Sequence, residues 1–397
     1  MLRTPQAYVL SGAVRVKGDA DGPKDMSGCA IAGICCQDGT RIDGKDIVAA
    51  IANMHDRGNG LGGGFAVYGL YPNYKDEYAL HIMYDDASAR AAAEEYLAAN
   101  FVIVHREVIP TSHVAAIRNR PMFHRYFVHP SNDLRHRYYD MTDDDIVVMA
   151  VMHVNARIDG AFVFSSGKDV GVFKGVGYPE EIADFFCVRD YKGYLWTAHS
   201  RFPTNTSGWW GGAHPFGILD WTVVHNGEIS SYGTNRRYLA NFGYQCSLHT
   251  DTEVVAYLFD LLIRKHGLPV EMACMAYAPP LWDDIERMPP QRKQLAQAVR
   301  MTYGPALLNG PFSILVGFRG GMIALNDRIK LRPMTAAKDG NRVYVASEEA
   351  AIRVICPQPE YVWQMAAGEP LVVSVKGYDD NYVQVNQKKY ETVADTV

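Results

Sequence analysis

The sequence predicts an α+β fold in which helices are layered on antiparallel sheets. Two observations predict it. From residue 144 onward, short apolar runs alternate with Gly- and Asp-containing turns (IDGA, SSGKD, FKGVG), the pattern of successive strands. One long segment, 250–266, instead carries its apolar residues at helical spacing. The material for a large core is present: the 397 residues are 48% hydrophobic and 11% aromatic, which excludes wholesale disorder.

The elements follow in order. Residues 1–28 are polar and rich in Gly, Asp and Lys toward their end, a leader or surface segment. A small-apolar run then begins at Cys29 (CAIAGICC) and reads as a buried strand. After a QDGT turn, Ile47, Val48, Ile51 and Met54 give a helix over 45–54. The glycine cluster of HDRGNGLGGGF follows a helix rather than a strand and lacks GK[ST], so it predicts a turn into the next strand, not a phosphate cradle. A strand over 78–84, a helix over 87–98 and a strand over 101–106 form a small β-α-β excursion. Residues 107–143, rich in His, Arg and Tyr, have no clean period and read as an irregular insertion. Strands are expected at 146–155, 161–165, 170–173, 194–198 and 221–225. The helix over 250–266 starts with Thr250 and Glu253 as a T-x-x-E capping box and stops at Gly267. A helix near 291–301 precedes strands at 312–318, 321–326, 342–347 and 371–375.

Charge and cysteine content narrow the function. Lys+Arg 39 against Asp+Glu 44 leaves a formal net charge of −5, with no basic excess for nucleic acid. No apolar run reaches the length of a membrane span, and the N-terminus lacks a secretory apolar stretch. A soluble, cytoplasmic protein is expected. Seven scattered cysteines without a CxxC pair argue against a disulfide framework or a metal centre and leave room for one cysteine nucleophile.

Three stretches hold polar groups that a plain core does not need. In HSRFPTN (199–205), Arg201 can grip a carboxylate by a two-pronged ion pair, or be an ordinary structural arginine. In VVHNGEIS (223–230), Asn226-Gly227 is either a hairpin turn or an oxyanion hole made of the Asn226 amide and the Gly227 N–H. In HTDTE (249–253), Asp251 suits a helix N-terminus and can also pair with a substrate ammonium. Cys29 alone reads as a buried cysteine. In order along the chain, these pieces supply a nucleophile, an oxyanion hole and clamps for both ends of an amino acid.

With SGCAIAGI (27–34), MHDRGNGLGGGFAVYG (54–69), VFKGVG (172–177), AHSRFPTNTSGWWGGAHPF (198–216), VVHNGEIS (223–230), HTDTEVVAYL (249–258), APPLWDDIERMP (278–289), LLNGPFSILVG (307–317), NDRIKLRP (326–333) and VYVASEEAA (343–351), the sequence resembles a class II glutamine amidotransferase of the N-terminal-nucleophile hydrolase superfamily. It is most similar to the stand-alone amidotransferase subunit of archaeal-type glutamate synthase. The resemblance implies a four-layer α/β/β/α sandwich of two antiparallel sheets over 29–375, with an insertion at about 71–143 and a C-terminal tail at 376–397. It implies Cys29 as nucleophile, its freed α-amino group as base, and Asn226 and Gly227 as oxyanion donors. Arg201 would hold the α-carboxylate and Asp251 the α-ammonium, with Thr204 and Gly227 lining the pocket and Arg57 ordering the nucleophile end. Ala30 stands where the family usually has Gly, and 28 residues precede the cysteine, so this mechanism requires cleavage of Gly28–Cys29. Only a short polar tail follows residue 375. The resemblance therefore implies no cofactor or metal in this chain and an ammonia acceptor on a separate FMN-dependent, iron–sulfur synthase subunit. N-methylglutamate synthase is a variant of that acceptor, a non-catalytic glutamine-sensing or scaffolding subunit is an alternative, and a homo-oligomer is left open.

Overall fold

The structure, a computed structural model, describes residues 28–202 and 208–378. The leader up to residue 27, Thr204 and the tail beyond 378 lie outside the described residues. Among the described residues, two large antiparallel sheets face each other. The seven-stranded sheet runs Tyr361–Gln364, Thr335–Asp339, Arg342–Ala346, Ala30–Cys36, Leu195–Ser200, Gly63–Tyr68, Val170–Gly175. The five-stranded sheet runs Phe216–Ile218, Trp221–Gly227, Phe312–Phe318, Gly321–Asn326, Leu371–Ser374.

Each sheet must bury both faces, and the sequence shows how. In Ala30–Cys36 every residue is buried. The space beside Gly33 is filled by Met322 and Leu315 of the other sheet, so alternate positions of this strand face the sheet–sheet core. The outer face of the seven-stranded sheet is covered by helices Lys45–Ala52, Pro179–Phe185 and Glu349–Ile355. The outer face of the five-stranded sheet is covered by Asp251–Phe259. These are the four layers expected, helix on sheet on sheet on helix.

A third sheet of four strands, Phe101–Val108, Met122–Pro130, Tyr78–Tyr84 and Ala161–Ser165, packs at the edge of the sandwich near Val170–Gly175 and Phe216–Ile218. It carries helices Ala87–Asn100 and Asp143–Arg157. Here the structure departs from expectation. Met122–Pro130 lies between the two strands of the anticipated β-α-β unit, and every pairing is antiparallel. The stretch expected to be irregular thus contains a strand and the helix Asn132–Arg137. Residues 146–155, expected as a strand, belong to the helix Asp143–Arg157. Their apolar run is buried on nearly all sides, so no periodicity separates strand from helix. The deciding signal is the capping box of Thr142 with Asp145.

The expected helix over 250–266 is present as Asp251–Phe259 continued by a π-helical stretch, Asp260–Lys265. Its cap differs. The Thr250 hydroxyl accepts from Thr252 N–H, while Glu253 turns inward and accepts from Ser247 and Leu248 N–H at 3.0 Å each. Glu253 is therefore a buried carboxylate and not half of a capping box. At the other end of this helix, Arg264 Nη2 donates to Asp260 Oδ2 and its Nη1 to Asp145 Oδ1, both at 2.8 Å. Asp260 is fully buried and also bonded by the Tyr244 hydroxyl. This network ties the helix Asp143–Arg157 to the one that starts at Asp251.

Removing one partner of such a network strands a buried charge. Arg264→Met is expected to lower unfolding free energy by about 3–5 kcal/mol, read from the urea midpoint and slope; a change within experimental error would show that the network does not hold the two helices together.

Candidate active site

The site lies where the two sheets end together. The register between Ala30–Cys36 and Leu195–Ser200 pairs Ala30 with Ser200. One step further along, Cys29 stands beside Arg201. The next residue, Phe202, donates its backbone N–H to Cys29 Sγ at 3.3 Å. The neighbouring strand Arg342–Ala346 pairs Ala32 with Ala346, which sets Ser347 beside Ile31. The Ser347 hydroxyl accepts from Ile31 N–H at 3.1 Å.

Arg57 comes from the 3₁₀ turn His55–Arg57. Its Nε and Nη2 both donate to the Cys29 carbonyl at 3.2 Å, and its Nη1 pairs with Glu348 at 2.8 Å. It therefore fixes the backbone of the cysteine and not its sulfur. Arg201 is buried, and its N–H donates to Gly62 O at 2.9 Å. The glycine cluster after the first helix is thus a seat for this turn and for its neighbours. At Gly64 a Cβ would lie 2.3 Å from the His214 carbonyl, so no larger residue fits.

Asn226 and Gly227 end the strand Trp221–Gly227. They do not form a hairpin turn: the chain runs on to the helix Tyr232–Ala240. Asn226 lies opposite Ser313, and Glu228 N–H donates to Pro311 O at 2.9 Å. Backbone groups alternate in direction along an antiparallel strand. The intervening Gly227 N–H therefore points away from Phe312–Phe318, to the side where the other neighbour, Phe216–Ile218, has already ended opposite Val223. Gly227 has φ +150°, and a Cβ there would lie 2.0 Å from Pro311 O; only glycine is accepted. The Asn226 side chain is 1% exposed and its Nδ2 approaches Ser347 Oγ at 3.5 Å. One amide proton faces Ser347, and the second remains for a ligand.

Asp251 opens its helix with its side chain 23% exposed. Ile229 N–H donates to its Oδ2 at 2.9 Å and the Thr252 hydroxyl to its Oδ1 at 3.3 Å. With its proton committed to Asp251, Thr252 Oγ1 accepts from His214 Nε2 at 2.8 Å and His225 Nδ1 at 3.2 Å. His199 completes the layer: its ring stacks on His214 at 3.9 Å and its Nε2 donates to the His225 carbonyl at 2.9 Å. Burial pushes His199 down to about 3 and His214 well below its usual range, so both rings are neutral donors near neutral pH. Burial pushes the Asp251 carboxyl up, but His225, Ile229 N–H and the Thr252 hydroxyl outweigh it and hold the group below its usual range. It is an anion at neutral pH.

The charges act on one another. Burial pushes the Cys29 thiol up; the Phe202 N–H, Arg201 and Arg332 pull it back, and Asp251 adds to the rise. The sulfur is therefore a thiol that needs a base, not a resting thiolate. Burial pushes Arg201 down, while Cys29 and Asp251 pull it back up. Cys29, Arg57, Arg201, Asn226, Gly227 and Asp251 thus converge on one end of the sandwich. Thr204 lies outside the described residues. Sequence reasoning missed Ser347, Thr252, Arg332 and the three histidines as supports, although each stands inside or beside a motif that it singled out. Among the described residues, no cluster of three or more His, Cys, Asp or Glu is arranged to hold a metal, and no helix is long and apolar enough to cross a membrane.

Known proteins align with this framework. The family model for glutamine amidotransferases class-II matches residues 75–248. An uncharacterized protein of Archaeoglobus fulgidus is 53% identical over 89% of this chain and 94% of its own length. A protein of Methanothermobacter thermautotrophicus, named as a glutamine amidotransferase, is 28% identical over 87% of this chain and its whole length. The glutamine amidotransferase-like protein GlxB of Rhizobium meliloti is 30% identical over 52% of this chain and 58% of its own. The stretch matched by the family model contains Arg201, Asn226 and Gly227, and over that stretch the chain has the sequence of the class II glutamine amidotransferases.

Proposed function

We propose that this chain hydrolyses L-glutamine to glutamate and ammonia through a thioester on Cys29, and that it passes the ammonia to a separate synthase subunit of the glutamate-synthase type, an FMN- and iron–sulfur-containing partner. One observation carries the reading of the site. A single turn delivers both the Arg201 guanidinium and the Phe202 N–H that meets the Cys29 sulfur. The residue suited to hold a carboxylate is thereby set beside the nucleophile by the backbone itself.

The chemistry follows from the groups present. Glutamine lies with its α-carboxylate on Arg201 and its α-ammonium on Asp251, so its carboxamide reaches Cys29. The thiol is held protonated by burial and needs a base within reach. After cleavage of Gly28–Cys29, the new α-amino group of Cys29 serves; an unperturbed α-amine titrates near ~8. It takes the thiol proton as sulfur attacks the carboxamide carbon. The oxyanion forms against Asn226 Nδ2 and Gly227 N–H. Collapse of the tetrahedral intermediate expels ammonia, which leaves with the proton held by the amine. Water, deprotonated by the same amine, then cleaves the thioester to release glutamate. Arg57 holds the Cys29 carbonyl throughout, so the amine and thiol of one residue keep a fixed relation. The non-catalytic alternative, a glutamine sensor, would need the Arg201–Asp251 clamp but no cleavage and no oxyanion donors; Ala30 in place of the family's usual glycine is the feature in its favour.

Three substitutions separate the roles. Cys29→Ala should abolish glutamate release from glutamine while the thermal midpoint stays near that of the parent; residual turnover at the parental rate would refute the nucleophile. Arg201→Ala should weaken glutamine binding by about 2–5 kcal/mol, seen as a raised KM, and an unchanged KM would remove it from the pocket. Asn226→Ala should lower kcat by about 10²–10³-fold with KM little altered; a pure KM effect would place the amide on the substrate's ground state instead.

A further inference from the structure

Lys174 is 1% exposed, in the edge strand Val170–Gly175 of the seven-stranded sheet. Pairing sets it opposite Gly64, which is in turn opposite His199. Lys174 thus shares the inner row that runs toward the cysteine strand. Its Nζ donates to the Gly211 carbonyl at 3.1 Å and sits 4.1 Å from the centre of the Phe216 ring. Burial pushes its amine down to about 7; Glu253 pulls it up and Arg201 pushes it further down. Glu253 is itself buried and immobilised by Ser247 N–H, Leu248 N–H and the Tyr257 hydroxyl. A buried amine is a poor way to fill space, since an apolar side chain of similar volume fills it at lower cost. A directed role accounts for it better.

The segment that Lys174 holds touches both halves of the amino-acid clamp. Gly211 belongs to residues 208–215, which fold as consecutive tight turns through Gly212 N–H to Trp209 O and Ala213 N–H to Trp210 O. This segment packs beside Arg201: a Cβ at Gly62 would lie 3.0 Å from the Arg201 side chain and 3.5 Å from the Ala213 Cβ. The same segment carries His214, whose Nε2 meets Oγ1 of Thr252, the residue after Asp251, at 2.8 Å. Resting on the glutaminase reading above, we propose that Lys174 is a positioning residue: by holding the Gly211 carbonyl it fixes the turns that pack beside Arg201 and bond to Thr252, and so sets the spacing between the carboxylate grip of Arg201 and the ammonium grip of Asp251 and the fit for a free α-amino acid.

The test compares Lys174→Met with Lys174→Arg, which keeps the cation. Lys174→Met should raise KM for glutamine by about tenfold with kcat within about threefold, and Lys174→Arg should recover most of the lost KM. Hydrogen exchange followed by mass spectrometry should show faster exchange over residues 208–215 in Lys174→Met, with the sheet strands as protected as in the parent. Lys174→Gln takes the place of Lys174→Met should the latter fail to fold. An unchanged KM, an equal loss in both variants, or faster exchange spread evenly over both sheets would overturn the proposal. The exchange arm needs no turnover: if the parent protein does not hydrolyse glutamine, the glutaminase reading fails, while unchanged exchange over 208–215 in Lys174→Met overturns the positioning role by itself.

Discussion

The register between the strands Ala30–Cys36 and Leu195–Ser200 is the constraint on which the rest depends. With Ala30 opposite Ser200, Cys29 and Arg201 leave their strands side by side, and the next N–H falls on the sulfur. A slip of one residue would turn every side chain of the strand to the opposite face. Cys29 would then point at the outer helices, and Gly33, whose lack of a side chain leaves room for Met322 and Leu315, would be replaced in the sheet–sheet core by a neighbour with a side chain. Core packing and site geometry therefore enforce the same register.

The second sheet adds its part by the same logic. Asn226 and Gly227 are the last residues of a strand whose edge partner stops short, so the Gly227 N–H has no strand partner on that side. The outer helix then contributes Asp251 from its first turn, held ionised by a hydroxyl, a backbone N–H and a buried imidazole layer. Each group of the candidate site sits at the end of an element rather than within it. The strand and helix interiors are left to pack.

This division explains what the sequence makes legible. Strands such as Phe312–Phe318 and Gly321–Asn326 are apolar runs closed by Gly, and composition alone finds them. The helix Asp143–Arg157 escapes because its apolar run is buried nearly all round, and only the Thr142 cap betrays it. Met122–Pro130 escapes because Arg125 lies within it, neutralised by Glu107 and the Tyr71 hydroxyl, partners distant in sequence. In the site, Cys29, Arg201, Asn226 and Asp251 are found only through their order along the chain. Ser347 and Lys174 stand inside quoted motifs, but nothing local marks their roles: each matters through a strand register or a carbonyl contact that exists only once the sheets are paired. Glu253 misleads in the opposite sense, since its spacing from Thr250 mimics a cap while the folded chain turns it inward to accept from Ser247 and Leu248 N–H.

The central claim is that Cys29 stands at a freed chain start and takes its substrate as an amino acid held at both ends. Mass spectrometry of the purified protein, intact and after digestion, before and after exposure to a diazoketone analogue of glutamine, addresses it in one measurement. The account predicts a chain that begins at Cys29 and gains a single adduct on that residue, suppressed by excess L-glutamine and unaffected by D-glutamine. A chain still carrying residues ahead of Cys29, or an adduct on another cysteine, would contradict it.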